Sequence, residues 1–132
     1  MSHRKQFFFI AVLSLAICAP ARAGDLPRRV GECVNTTIKS VGTRLDTPGS
    51  GSALSFENGG DQVGYETVPA IEQSRKGDPV RICLISLPIP YKESGLSGCP
   101  KGDNRGSVYR TTNLRTHKTW TMADSAHMCG GA

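Results

Sequence analysis

Gly77-Asp78-Pro79-Val80-Arg81-Ile82-Cys83-Leu84-Ile85-Ser86-Leu87-Pro88 is the run whose reading decides the fold. Its apolar residues fall on both alternating faces. Val80, Ile82 and Leu84 share one parity; Cys83, Ile85 and Leu87 share the other. That pattern predicts a central strand covered on both sides, bounded by glycine and proline.

Upstream, Pro69 to Gly77 carries proline first, glutamate early, Arg75 and Lys76 late and glycine last. This order predicts one or two helical turns that cap a barrel end with Ile71. Before it, Asn58-Gly59-Gly60-Asp61 predicts a hairpin turn, because Asn and Gly tolerate positive φ. Its arms are Ser52–Glu57 and Gln62–Thr67, the second with Val63 and Tyr65 on one face. Asp46 to Gly51 reads as a loop. Val30 to Leu45 reads as a long strand whose apolar phase slips near Ser40, the mark of a bulge. Gly24 to Arg29 reads as a loose polar leader.

Downstream, Pro88 to Gly102 is a long loop around Cys99. Gly106–Thr112 and Thr119–Met122 read as strands joined by a turn at Asn113–Lys118. The whole is mainly β: about six strands and one short helix in a small antiparallel barrel or sandwich, OB-like or SH3-like. That likeness of architecture carries no function.

The first residues set the compartment. Arg4 and Lys5 precede the apolar run Phe7 to Ile17, and Ala21-Arg22-Ala23 offers a cleavage site. Residues 1–23 are therefore expected to be a signal peptide, and 24–132 a single domain that is periplasmic or secreted. The run is too short to span a bilayer. A lipoprotein-like reading at Cys18 is disfavoured by bulky Ile17. Cleavage removes three cations and no acid, taking the net charge from +5 to +2. Whole-chain basicity thus gives no ground for a nucleic-acid partner.

A domain of about a hundred residues often needs a staple. Cys33, Cys83, Cys99 and Cys129 remain after cleavage, and an even count in an exported chain predicts two disulfides. Cys83–Cys99 and Cys33–Cys129 are the favoured pairs, although spacing leaves the other pairings open.

Catalytic patterns are sparse. Asp124-Ser125-x-His127 holds the residue types of a hydrolytic triad, but a triad draws its members from separate elements. A local turn is expected there. Cys129 with His117 or His127 would need a free thiol that the even count denies. Asp61, Glu66, Glu72, Asp78, Asp103 and Asp124 are scattered, and nothing pairs two of them as glycoside hydrolysis would require. Asp103-Asn104-Arg105-Gly106 lacks the glutamate of a calcium loop. His127-x-Cys129 stands alone as a metal motif. No metal or cofactor is expected.

One asymmetry stands out. From Lys101 to Lys118, five cations face Asp103 alone, a net +4. Arg105, Arg110, Arg115 and Lys118, with Tyr109, are the candidate ligand-binding residues. An acidic protein or an envelope polymer is the expected kind of partner.

The residues Gly102-Asp103-x-Arg105-Gly106, Tyr109, Thr112-Asn113-Leu114-Arg115-Thr116, Trp120 and Asp124-Ser125-x-His127-x-Cys129-Gly130-Gly131-Ala132 carry a resemblance. So do Gly77-Asp78-Pro79-Val80-Arg81 and the Cys83 strand. The chain resembles uncharacterised small exported proteins of proteobacteria. That implies export and a shared core, with no activity attached. The expected function is a non-enzymatic binding domain; the alternatives are a small envelope hydrolase using carboxylates or His127, and a structural envelope protein.

Overall fold

Val80, Ile82 and Leu84 are all but fully buried, and the sheet is built outward from them. A computed structural model describes residues 24–88, 99, 103 and 105–129. The expected signal peptide, the loop from 89 to 98 and Lys101 lie outside the described residues. The elements are β1 (Cys33–Thr43), β2 (Ser52–Phe56), β3 (Asp61–Val63), α1 (Pro69–Glu72), β4 (Pro79–Ser86), β5 (Val108–Asn113) and β6 (Thr119–Ala123). The strands form one antiparallel sheet in the order β3-β2-β1-β4-β5-β6. It curls into a half-barrel that brings its edges β3 and β6 side by side.

The expected β class, a short helix and the two disulfides are all present among the described residues. The bulge also falls where the apolar phase slips. The β1–β2 register shifts between Ile38 and Ser40, so Lys39 is the extra residue. At the β2–β3 hairpin, Gly59 adopts φ 85° and Gly60 O accepts the Phe56 N–H. Gly51 turns the chain at φ 113°, and any Cβ there would strike the Gly64 carbonyl.

Four expectations need correction. First, β4 is covered on one face only. Cys83 and Ile85 are half-buried and Leu87 is 52% exposed, because the sheet curls over its own inner face. Second, the inward residue of β3 is Gln62; Tyr65 is exposed and Val63 only half-buried. Third, the disulfides pair Cys33 with Cys83 and Cys99 with Cys129, replacing the expected Cys83–Cys99 and Cys33–Cys129. β1 lies beside β4 with Cys33 opposite Cys83, which leaves Cys99 to the tail. Fourth, the leader is held: Gly24 N–H donates to Asn35 O, and its own carbonyl accepts from Asn58 Nδ2.

The helix is one turn long. Pro69 opens it, and Ile71 enters the core with Ile38, Leu54, Phe56, Trp120 and Met122. Gln62 closes the seam between the edges. Its Nε2 donates to Tyr109 O and Met122 O, each at 3.0 Å. Its Oε1 accepts from Thr111 Oγ1 at 2.8 Å and Trp120 Nε1 at 2.9 Å. A fully buried amide with every donor and acceptor used binds β3 to β5 and β6 where ladder bonds are missing.

Candidate sheet-face site

The basic segment does not gather into one patch. Arg105 is exposed, and its guanidinium grips Asp103 at 2.8 Å and 3.0 Å. Arg115 turns inward to Asp78, a buried carboxylate, and also donates to Gln73 O. The hydrogen-bonded Arg115 guanidinium holds the Asp78 carboxyl well below the usual carboxylate range, against the opposing effect of burial. Asn113 supports the pair: its Nδ2 donates to Asp78 and Ser74, and its Oδ1 caps the turn by accepting from Arg115 N and Thr116 N. Tyr109 belongs to the buried core, and its phenol is pushed up by burial and by the charge of Asp124. Two of the five candidates therefore remain as exposed cations with no carboxylate partner among the described residues, Arg110 on β5 and Lys118 in the turn.

A different cation joins Arg110. Register places Arg81 of β4 opposite Thr112 and Asn35, and Arg110 opposite Cys83 and Thr121. Arg81 and Arg110 are thus diagonal neighbours on adjacent strands, about 7–8 Å apart at their roots. Both are exposed on the outer face, and neither guanidinium has an ion-pair or hydrogen-bond partner among the described residues. β1, β4, β5 and β6 contain no carboxylate at all. Around the two guanidiniums the face carries hydroxyl and amide groups, Asn35, Thr112, Thr119 and Thr121, with Thr112 Oγ1 and Thr119 Oγ1 3.0 Å apart, and beside Arg110 the half-buried Cys33–Cys83 disulfide. Sequence reasoning passes over Arg81 because it reads as a spacer in an apolar strand. Its signal is parity: Arg81 shares the outward phase of Cys83 and Ile85.

The rival chemistry lies at the other end of the sheet. An open groove of about 700 Å³ is lined in part by Asp61, Asp124, Ser125 and His127. Burial, and to a lesser degree the charge of Asp61, pushes the Asp124 carboxyl up. The local bonding is that of a turn: Ser125 Oγ accepts the His127 backbone N–H, and Asp124 Oδ1 accepts from Gly106 N. Tyr65 sits beside them, with the Arg44 guanidinium 4.2 Å above its ring and the His127 ring at its edge. Cys129 is disulfide-bonded, which removes it as a nucleophile. Among the described residues no three His, Cys, Asp or Glu side chains assemble around a possible metal position. Nor is any helix there long and apolar enough to cross a membrane.

No family model, curated protein or solved structure matches this chain.

Proposed function

We propose that this chain is an exported, non-enzymatic binding domain that holds an anionic partner on the outer face of β1, β4, β5 and β6. Arg81 and Arg110 grip the partner, and Lys118 adds charge at the rim. The carrying observation is a pair of guanidiniums that have no ion-pair partner among the described residues, on a face whose strands hold no carboxylate. Guanidinium forks suit carboxylate, sulfate and phosphate groups, and strands without acids leave their charge available. Two disulfides accord with an oxidising compartment. The likeness to small exported proteobacterial proteins belongs to the same reading.

Salt-gradient elution from a dextran sulfate matrix tests the assignment. The double variant R81E/R110E should elute at clearly lower salt than K76E/R29E, an exposed control with the same change of net charge. Equal elution of the two would remove the face from the account.

A second reading, a small envelope hydrolase, draws on one observation: Asp61, Asp124 and His127 line one groove. Hydrolysis of an envelope glycan that D124N and H127A each abolish would favour it.

A further inference from the structure

Resting on the anion-binding reading above, we infer that the partner is an acidic polysaccharide, a chain of uronate-type sugars laid across the strands of β4, β5 and β6. The argument starts from the rungs of the sheet. One rung runs Asn35, Arg81, Thr112, Thr119 across four strands. The next places Arg110 opposite Thr121 on one side and Cys83 on the other. The Arg81 row is otherwise hydroxyl and amide, and the Arg110 row sets one hydroxyl, Thr121, on one side of the guanidinium and the Cys33–Cys83 disulfide on the other. A ligand that crosses the strands meets a new side chain at every strand spacing, about 4.8 Å.

A uronate chain presents both kinds of complementary group. Its carboxylates take the bidentate fork of arginine. Its hydroxyls both donate and accept, as threonine and asparagine side chains do. The face is also an exposed sheet surface and not a closed pocket, which favours an extended polymer over a single small anion.

Other polyanions fit less well. Tyr109 and Trp120, the two aromatic residues of β5 and β6, are both buried. The outward positions of β4, β5 and β6 therefore offer no ring for stacking nucleic-acid bases. They offer no aromatic anchor for a protein hot spot or for the headgroup region of a bilayer. What remains is charge plus hydroxyl complementarity.

The test uses the processed chain, residues 24–132, with both disulfides intact. Calorimetric titrations would compare oligogalacturonate, poly-glutamate, phosphatidylglycerol vesicles and neutral dextran. Oligogalacturonate should bind and dextran should not. R81Q/R110Q should weaken oligogalacturonate binding at least about tenfold, the scale of one lost charge-assisted hydrogen bond. R81K/R110K keeps the charge without the fork, so it should also weaken that binding, while eluting from dextran sulfate at higher salt than R81E/R110E. T112V/T121V should weaken oligogalacturonate binding more than any residual poly-glutamate binding. Poly-glutamate or vesicles binding as tightly as the uronate, with the same arginine dependence, would overturn the glycan assignment and leave the anion-binding face standing. Indifference of every ligand to R81Q/R110Q would overturn both.

Discussion

Arg115 reaches back 37 residues to Asp78, donating from Nη2 to Oδ2 at 2.8 Å, and so joins the β5–β6 turn to the entry of β4. The pair is asymmetric. Asp78 is 3% exposed, whereas the Arg115 side chain is 36% exposed. Removing the arginine leaves a buried charge held only by the Asn113 amide, the Arg75 backbone N–H and the exposed Arg75 guanidinium 3.7 Å away; removing the acid releases a cation that can hydrate. R115A should therefore cost about 3 kcal/mol, the lower end for breaking a buried pair. D78N placed in that background should recover part of the loss, because a neutral amide needs no counter-charge. Urea unfolding of R115A and of R115A/D78N checks this, and a double variant less stable than R115A would contradict it.

The same carboxylate sets a pH limit. The folded-state pKa of Asp78 is depressed, so its contribution is complete above the ordinary carboxylate range and is lost as pH falls through and below it. Asp124 has the opposite sign. Its folded-state pKa is raised, so its ionised form is disfavoured in the fold and stability rises as pH falls through that value. Thermal unfolding against pH should show a mildly acidic maximum. D124N keeps an oxygen for the Gly106 N–H and should remove the rise while leaving the acid loss in place.

Gln62 should be the least replaceable polar residue of the interior. Q62M fills comparable space but leaves Tyr109 O, Met122 O, Thr111 Oγ1 and Trp120 Nε1 without the partner they share. A loss of about 3 kcal/mol or more is expected. Q62E retains the acceptors but places a carboxylate against two carbonyls, and should be worse at neutral pH than at acid pH. Urea unfolding at both pH values reads the difference.

The disulfide pairing has a direct chemical readout. Non-reducing tryptic mapping should link the Cys33 peptide Val30–Lys39 to the Cys83 peptide Ile82–Lys92. The Cys99 peptide Glu93–Lys101 should be linked to the tail peptide Thr119–Ala132. Loop-closure entropy for a separation of 50 residues puts the cost of C33A/C83A at about 4 kcal/mol.

Period-two burial made much of the fold legible. Val80, Ile82 and Leu84 on one face, the Asn58–Asp61 turn and the slip at Lys39 are all local signals, and each appears where its residues place it. What failed was non-local. A glutamine between Asp61 and Val63 reads as outward until Trp120 and Thr111, some 50 residues away, are brought to it. The cysteine pairing depended on β1 and β4 becoming neighbours across the β2–β3 hairpin and α1. The basic segment was visible as a charge count, but the count could not show that Arg115 belongs to Asp78 or that Arg110 has Arg81 as its diagonal neighbour.

The central claim is the location of binding. Amide chemical-shift mapping of the ¹⁵N-labelled domain during titration with oligogalacturonate addresses it residue by residue. The expected result is shifts concentrated at Asn35, Arg81, Arg110, Thr112 and Thr121, abolished in R81Q/R110Q. Shifts concentrated instead at Asp61, Asp124 and His127 would contradict it and move the site to the groove at the opposite end of the sheet.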